Sequence, residues 1–285
     1  MKERFQLLSP FSQLIVLILV GAVSFMIISM LLATIISAIY PEMPLNNLKV
    51  QQQSFPVQFM MMYYFPFQFG LFLIPSLIYA QWSDKENIFL FKKSLSGTAW
   101  SVLLFVCVFL LLPFLSEINN WINQYLGVLE YLESAKLNSD EQMAQLIGKP
   151  EELSFIVGVL IIGLLTGIAE EFAFRKMLFS HMLNHTKKLG LSLLVNALIF
   201  ALLHFNFLQM LPLFVFGLVL GMVYYFSGSI WVGVFLHILN NIVNLWWLAT
   251  DSFPDWMNNI HLEITIPSTL LLMGLIILKF YRCKV

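Results

Sequence analysis

The sequence predicts an all-α fold, a polytopic integral membrane bundle of about eight transmembrane helices. Hydrophobic residues make up 59% of the 285 and charged residues only 11%, with a mean hydropathy of +0.83. A soluble domain carries about 25% charged residues, so this chain has too little charge to clothe a surface facing water. Its apolar residues also gather into runs of about 20, the length that crosses a bilayer. The basic residues fall predominantly on one side of those runs.

Taken in order, the runs lie near residues 14–39, 57–80, 98–115, 153–174, 189–208, 210–227, 230–249 and 264–281. Lys2 and Arg4 precede the first one, as in a secretory signal. However, the run from Leu14 to Tyr40 exceeds the roughly 7–15 residues of a signal core, and it is read as a retained span. Between the third and fourth runs, Ser116 to Glu152 sets Trp121, Ile122, Tyr125, Leu126, Leu129 and Leu132 at helical spacing. That segment reads as an amphipathic surface helix with a polar tail. The short gap after Phe205 and the turn at Gly228 predict tight antiparallel hairpins. Gly158, Gly163, Gly167, Gly217, Gly221 and Gly233 recur in the later runs, and small residues there read as contacts of a well-packed bundle. Cys107 lies in a run and Cys283 in the tail, settings too different for a disulfide or a metal site. No stretch is long and polar enough to fold in water. Residues 1–285 are therefore read as one membrane domain, with 1–150 supplying N-terminal spans and the amphipathic segment.

Charge sets the orientation. With the N-terminus in the cytoplasm, the inner segments hold Lys2, Arg4, Lys85, Lys92, Lys93, Arg175, Lys176, Lys187, Lys188, Lys279, Arg282 and Lys284. Only Lys49, Lys136 and Lys149 fall outside. This is the positive-inside pattern, and it predicts an even number of spans with both termini cytoplasmic; the compact design of the chain fits a plasma (inner) membrane. A net charge of -1 argues against nucleic acid as a partner. The lipid bilayer is the partner that this composition predicts.

Ionisable groups inside spans are costly and mark function by default. Glu170 and Glu171 end the fourth run, and Arg175 follows Glu171 by four residues with the acid N-terminal, so the two face each other on a helix. Glu170 is offset by about 100° and points elsewhere, which leaves it available for chemistry. The plain alternative is that all three mark the end of a span. His204 ends the fifth run, where an interfacial histidine is the competing explanation. His237 and Asn241 share one face of the seventh run, with Asn240 and Asn244 nearby. Polar groups there also serve as glue between helices. The turn joining runs four and five falls near Thr186, 16 residues after Glu170 and 18 before His204. Two antiparallel helical arms, rising about 1.5 Å per residue, would bring those two side chains level. A turn so far from Glu170 also predicts that the fourth helix projects beyond the membrane or bends.

The run Glu170-Glu171-Phe172-Ala173-Phe174-Arg175 resembles the EExxxR pattern of the CPBP family of intramembrane proteases, which includes the type II CAAX prenyl endopeptidases and bacteriocin-processing or immunity relatives. Phe200 to His204 is similar to its FxxxH motif and His237 to Asn241 to its HxxxN motif, all in order within about 150–250. The resemblance implies an eight-helix endopeptidase with its catalytic core in 150–250 and a polar cavity opening from the membrane. It implies Glu170 as general base, His204 as its partner in activating water, and His237 and Asn241 as stabilisers of the oxyanion. Glu171 and Arg175 would support the site. Such chemistry is sound, because a carboxylate in a low-dielectric pocket suits base catalysis and aimed donors stabilise a developing oxyanion. No cofactor is assured. There is no HExxH pair, and the metal-free reading is preferred; if zinc is used, Glu170, His204 and His237 are its ligands. Two other classes compete: a non-catalytic scaffold or bacteriocin-immunity protein that keeps the polar cluster as glue, and, last, a proton-coupled transporter.

Overall fold

The computed structural model describes residues 1–83, 95–252, 266–267, 269–276 and 278. Ten helices and no strand run through 1–83 and 95–252. They are α1 (Lys2–Gln6), α2 (Pro10–Ile39), α3 (Leu48–Ser54), α4 (Pro56–Trp82), α5 (Leu95–Tyr125), α6 (Leu129–Ile147), α7 (Leu153–Thr186), α8 (Leu189–Leu203), α9 (Met210–Ser227) and α10 (Ile230–Thr250). Among the described residues six of these, α2, α4, α5, α7, α9 and α10, are long and apolar enough to cross a membrane. The chain is an all-α, multi-pass membrane protein. The predicted fifth span is the helix α8 of 15 residues, about 22 Å at 1.5 Å per residue and short of a hydrocarbon core of about 30 Å. Of the predicted eighth span, 264–281, residues 266–267, 269–276 and 278 are helical, and the remainder lies outside the described residues.

Two compact units divide the chain. The first comprises Met1–Leu90, Asp140–His185 and His237–Ser252; the second comprises Phe91–Ser139, Thr186–Leu236 and Phe253–Val285. In the first, α2 starts at an N-cap, Ser9, whose side chain accepts from the Ser12 amide, and Pro10 occupies the first turn. Its Ile18, Leu19, Met26, Ile27 and Met30 are exposed, the side that a helix offers to lipid. Its other side meets α4 so closely that a Cβ on Gly21 would lie 2.7 Å from the Leu71 carbonyl and one on Gly70 2.8 Å from the Phe25 backbone. The Phe72 and Phe174 rings, 5.9 Å apart, join α4 to α7.

Helix α7 spans 34 residues, about 51 Å. It does project far past the predicted end at 174, and it continues because no Gly or Pro interrupts 168–186. Two stretches, Val159–Leu165 and Phe172–Phe179, are π-helical, as are Met60–Tyr64 and Phe67–Leu73 in α4. Such wide turns gather at functional sites. Thr166 and Ser180 side chains each donate to a carbonyl five residues back, Ile161 and Arg175, at 3.1 and 2.9 Å. Arg175 and Lys176, assigned to an inner loop by the charge pattern, are buried within this helix instead. The turn itself comes at Lys187, whose φ is 57°.

In the second unit α9 packs against both α5 and α8. Phe105 and Phe216 meet at 5.8 Å between centroids, and Gly217 lies where a Cβ would touch the Phe200 ring at 3.0 Å. The segment expected as one amphipathic helix, 116–152, is divided. Its first part belongs to α5, and Gly127, at φ 70°, turns the chain into α6. Only glycine takes that conformation at little cost. Gly228, at φ 69°, closes α9 and makes the predicted hairpin into α10.

Candidate active site

Glu170 and Glu171 sit in a short α-helical segment, Thr166–Glu171, between the two π-helical stretches of α7. Both are buried, and Glu171 and Arg175 have no solvent exposure at all. The predicted i,i+4 pair forms, with Arg175 Nη1 3.1 Å from Glu171 Oε1. The same oxygen also accepts a hydrogen bond, 2.9 Å long, from Nδ1 of the buried His237. A carboxylate only accepts, so Nδ1 carries the proton and Nε2 is the edge turned towards the neighbouring acid. That edge lies 3.8 Å from Glu170 Oε2. The other Glu170 oxygen, Oε1, is 3.5 Å from Nε2 of Gln68 on α4.

Glycine brings α7 and α10 near enough for this. A Cβ on Gly167 would lie 2.6 Å from Ile238 Cγ1 and 3.1 Å from the Ile238 nitrogen, and one on Gly163 would lie 3.1 Å from Ile242 Cγ1. Gly163, Gly167 and Glu171 succeed one another at i,i+4, so the close-contact face leads directly to the carboxylate that meets His237. One turn beyond His237, Asn241 donates from Nδ2 to the Ile162 carbonyl at 3.3 Å.

The first unit thus brings together Glu170, Glu171, Arg175 and His237, with Asn241 one turn away. His204 belongs to the second unit. There it caps α8 on the exposed side, its Nδ1 donating to the Phe200 carbonyl at 2.7 Å and its ring 4.5 Å from the Phe200 ring. The FxxxH spacing is thereby used locally: Phe200 holds the imidazole through both backbone and ring. The predicted levelling of His204 with Glu170 joins residues of different units and stands as an inference from spacing.

Sequence reasoning missed two features. Spacing within one helix gives Glu171 its arginine but says nothing of a neighbour on another helix, so the bond to His237 was not foreseen. Gln68, 102 positions from Glu170, carries no signal beyond being an amide in an apolar run.

A zinc ion needs three protein ligands on one centre. His237 Nδ1 and Arg175 already share Glu171 Oε1. Among the described residues no group of three His, Cys, Asp or Glu side chains converges as such a centre requires. Of the three ligands expected if zinc is used, Glu170 and His237 belong to the first unit and His204 to the second.

Two buried carboxylates, a guanidinium and an imidazole are gathered here, three of them joined by the Glu171–His237 hydrogen bond and the Arg175–Glu171 ion pair. Residues 152–243, about a third of the chain, match the family model described as type II CAAX prenyl endopeptidase Rce1-like. No curated protein and no solved structure matches the chain. The matched segment holds Glu170, Glu171, Arg175, His204, His237 and Asn241, and residues 152–243 are a domain of the Rce1-like type II CAAX prenyl endopeptidase family.

Proposed function

We propose that this protein is an intramembrane endopeptidase that hydrolyses a peptide bond of a membrane-associated substrate, with Glu170 as the general base. The observation that carries this reading is the two-sided setting of His237: Nδ1 is held by Glu171 at 2.9 Å, and Nε2 faces Glu170 at 3.8 Å. A water proton passes to the Glu170 carboxylate as the water oxygen adds to the scissile carbonyl carbon. The resulting oxyanion takes hydrogen bonds from His237 and Asn241. As the C–N bond breaks, Glu170 returns its proton to the leaving amine. When His237 carries both ring protons, its charge and that of Arg175 balance Glu170 and Glu171, so the cluster is neutral and Nε2–H is a donor for the oxyanion. Glu171 and Arg175 fix the imidazole. His204 enters, on spacing and resemblance alone, as the partner of Glu170 in activating water.

The substrate class follows from the setting: a peptide that reaches a site among membrane helices, prenylated if it is that of the matched family. The cytoplasmic placement of the termini rests on the charge pattern. The test is cleavage of a library of membrane-associated peptides by protein reconstituted in liposomes, read by mass spectrometry. Wild type is expected to cut, and Glu170→Gln, His237→Ala and His204→Ala to lose cleavage while still accumulating in the membrane. Cleavage retained by Glu170→Gln overturns the reading. Loss with a strong chelator moves a metal to the centre, and no cleavage by folded wild type favours the scaffold or immunity alternative.

A further inference from the structure

We infer that Gln68, on α4 and outside the matched segment, is a positioning residue for Glu170; this rests on Glu170 being the general base. A carboxylate with one oxygen turned to His237 needs its other oxygen fixed if its rotamer is to be held for proton transfer. Gln68 stands at that oxygen, its Nε2 3.5 Å from Glu170 Oε1, and it is buried. The amide must present its nitrogen there, because a carboxylate has no proton to give to the amide oxygen.

A second buried amide in the same unit shows what a structural glutamine looks like. Gln51 donates from Nε2 to the Pro44 carbonyl at 2.7 Å and accepts from the Tyr63 hydroxyl at 3.0 Å, so its amide bonds at both ends. Gln68 Oε1, by contrast, is a buried acceptor with no hydrogen-bond partner among the described residues. A buried polar group left in that state is costly and requires an explanation. Glue between helices would satisfy both ends, whereas a group kept for one neighbour need satisfy only that one. The backbone supports the same conclusion. Gln68 lies in the π-helical stretch Phe67–Leu73, and Gly70 in that stretch is pressed against the Phe25 backbone, so α4 is held tightly at this level.

The test compares wild type, Gln68→Met, Gln68→Asn and Glu170→Gln in the reconstituted cleavage assay, with thermal stability measured on the same preparations. Gln68→Met keeps length and removes the donor. It is expected to lower kcat by about 10- to 100-fold with KM within about twofold, as loss of positioning without loss of binding requires. Gln68→Asn, which keeps an amide, is expected to recover part of kcat. Wild-type kcat in Gln68→Met, alongside an inactive Glu170→Gln, overturns this inference and leaves the general base standing. A fall in thermal stability with kcat unchanged, or a rise in KM alone, also overturns it. An active Glu170→Gln removes the base and this inference together.

Discussion

Replacing Glu171 by Gln is the perturbation whose size can be worked out most directly. Arg175 has no solvent exposure, and its Nη1 lies 3.1 Å from Glu171 Oε1. With an effective dielectric of about 20, unit charges at that distance attract by roughly 5 kcal/mol. Stranding one member of a buried pair costs about 3–5 kcal/mol, so the two estimates agree. Converted by the dependence of ordinary domains, about 2–4 °C per kcal/mol, the loss is on the order of 10 °C. The assay is the temperature at which detergent-solubilised protein leaves its monodisperse size-exclusion peak. Replacing both partners, Glu171→Leu with Arg175→Met, removes the stranded charge and is expected to restore most of that temperature. It is not expected to restore cleavage, because His237 Nδ1 would still lack its acceptor. If Glu171→Gln melted with wild type, the buried pair would carry no such energy. If the double variant cleaved at the wild-type rate, Glu171 would have no part in holding His237.

Gly167→Leu is expected to cut cleavage severely and to destabilise by about 1–3 kcal/mol, since even a Cβ there lies 2.6 Å from Ile238 Cγ1 and 3.1 Å from its backbone nitrogen; steady-state rates and melting of the variant check this. Tyr63→Phe leaves Gln51 Oε1 without its 3.0 Å donor, and is expected to cost about 1–3 kcal/mol with kcat intact. Lys187→Gly should stabilise by about 0.5–1 kcal/mol, because Lys187 holds φ at 57°, a conformation costing a side chain about 1–2 kcal/mol; a lower melting temperature would contradict it.

Much of the site is legible in the sequence because helices convert spacing into direction. Glu171 meets Arg175 because they are four apart, and Glu170, one residue earlier, turns away to Gln68 and His237. The far turn near Thr186 likewise foretold a long fourth helix, and α7 runs to that residue. What was hidden depends on packing between helices. The bond from His237 to Glu171 exists because Gly163 and Gly167 let α10 approach. The glycines were visible, but which helix they admit was not. The end of the fifth run was blurred by hydropathy, which cannot tell that α8 ends at Leu203, where His204 caps it and Phe205 takes a φ of 51°. The amphipathic pattern over 116–152 ran through Gly127, and there the backbone turn overrode the periodicity.

The most direct measurement is a single-turnover cleavage rate in liposomes for the best-cut peptide, comparing wild type with Glu170→Gln. A general base contributes about 10²- to 10⁴-fold, so the variant is expected to be slower by at least about 100-fold, with peptide binding preserved. Cleavage by Glu170→Gln at the wild-type rate would contradict the central claim that the buried carboxylate beside His237 activates water.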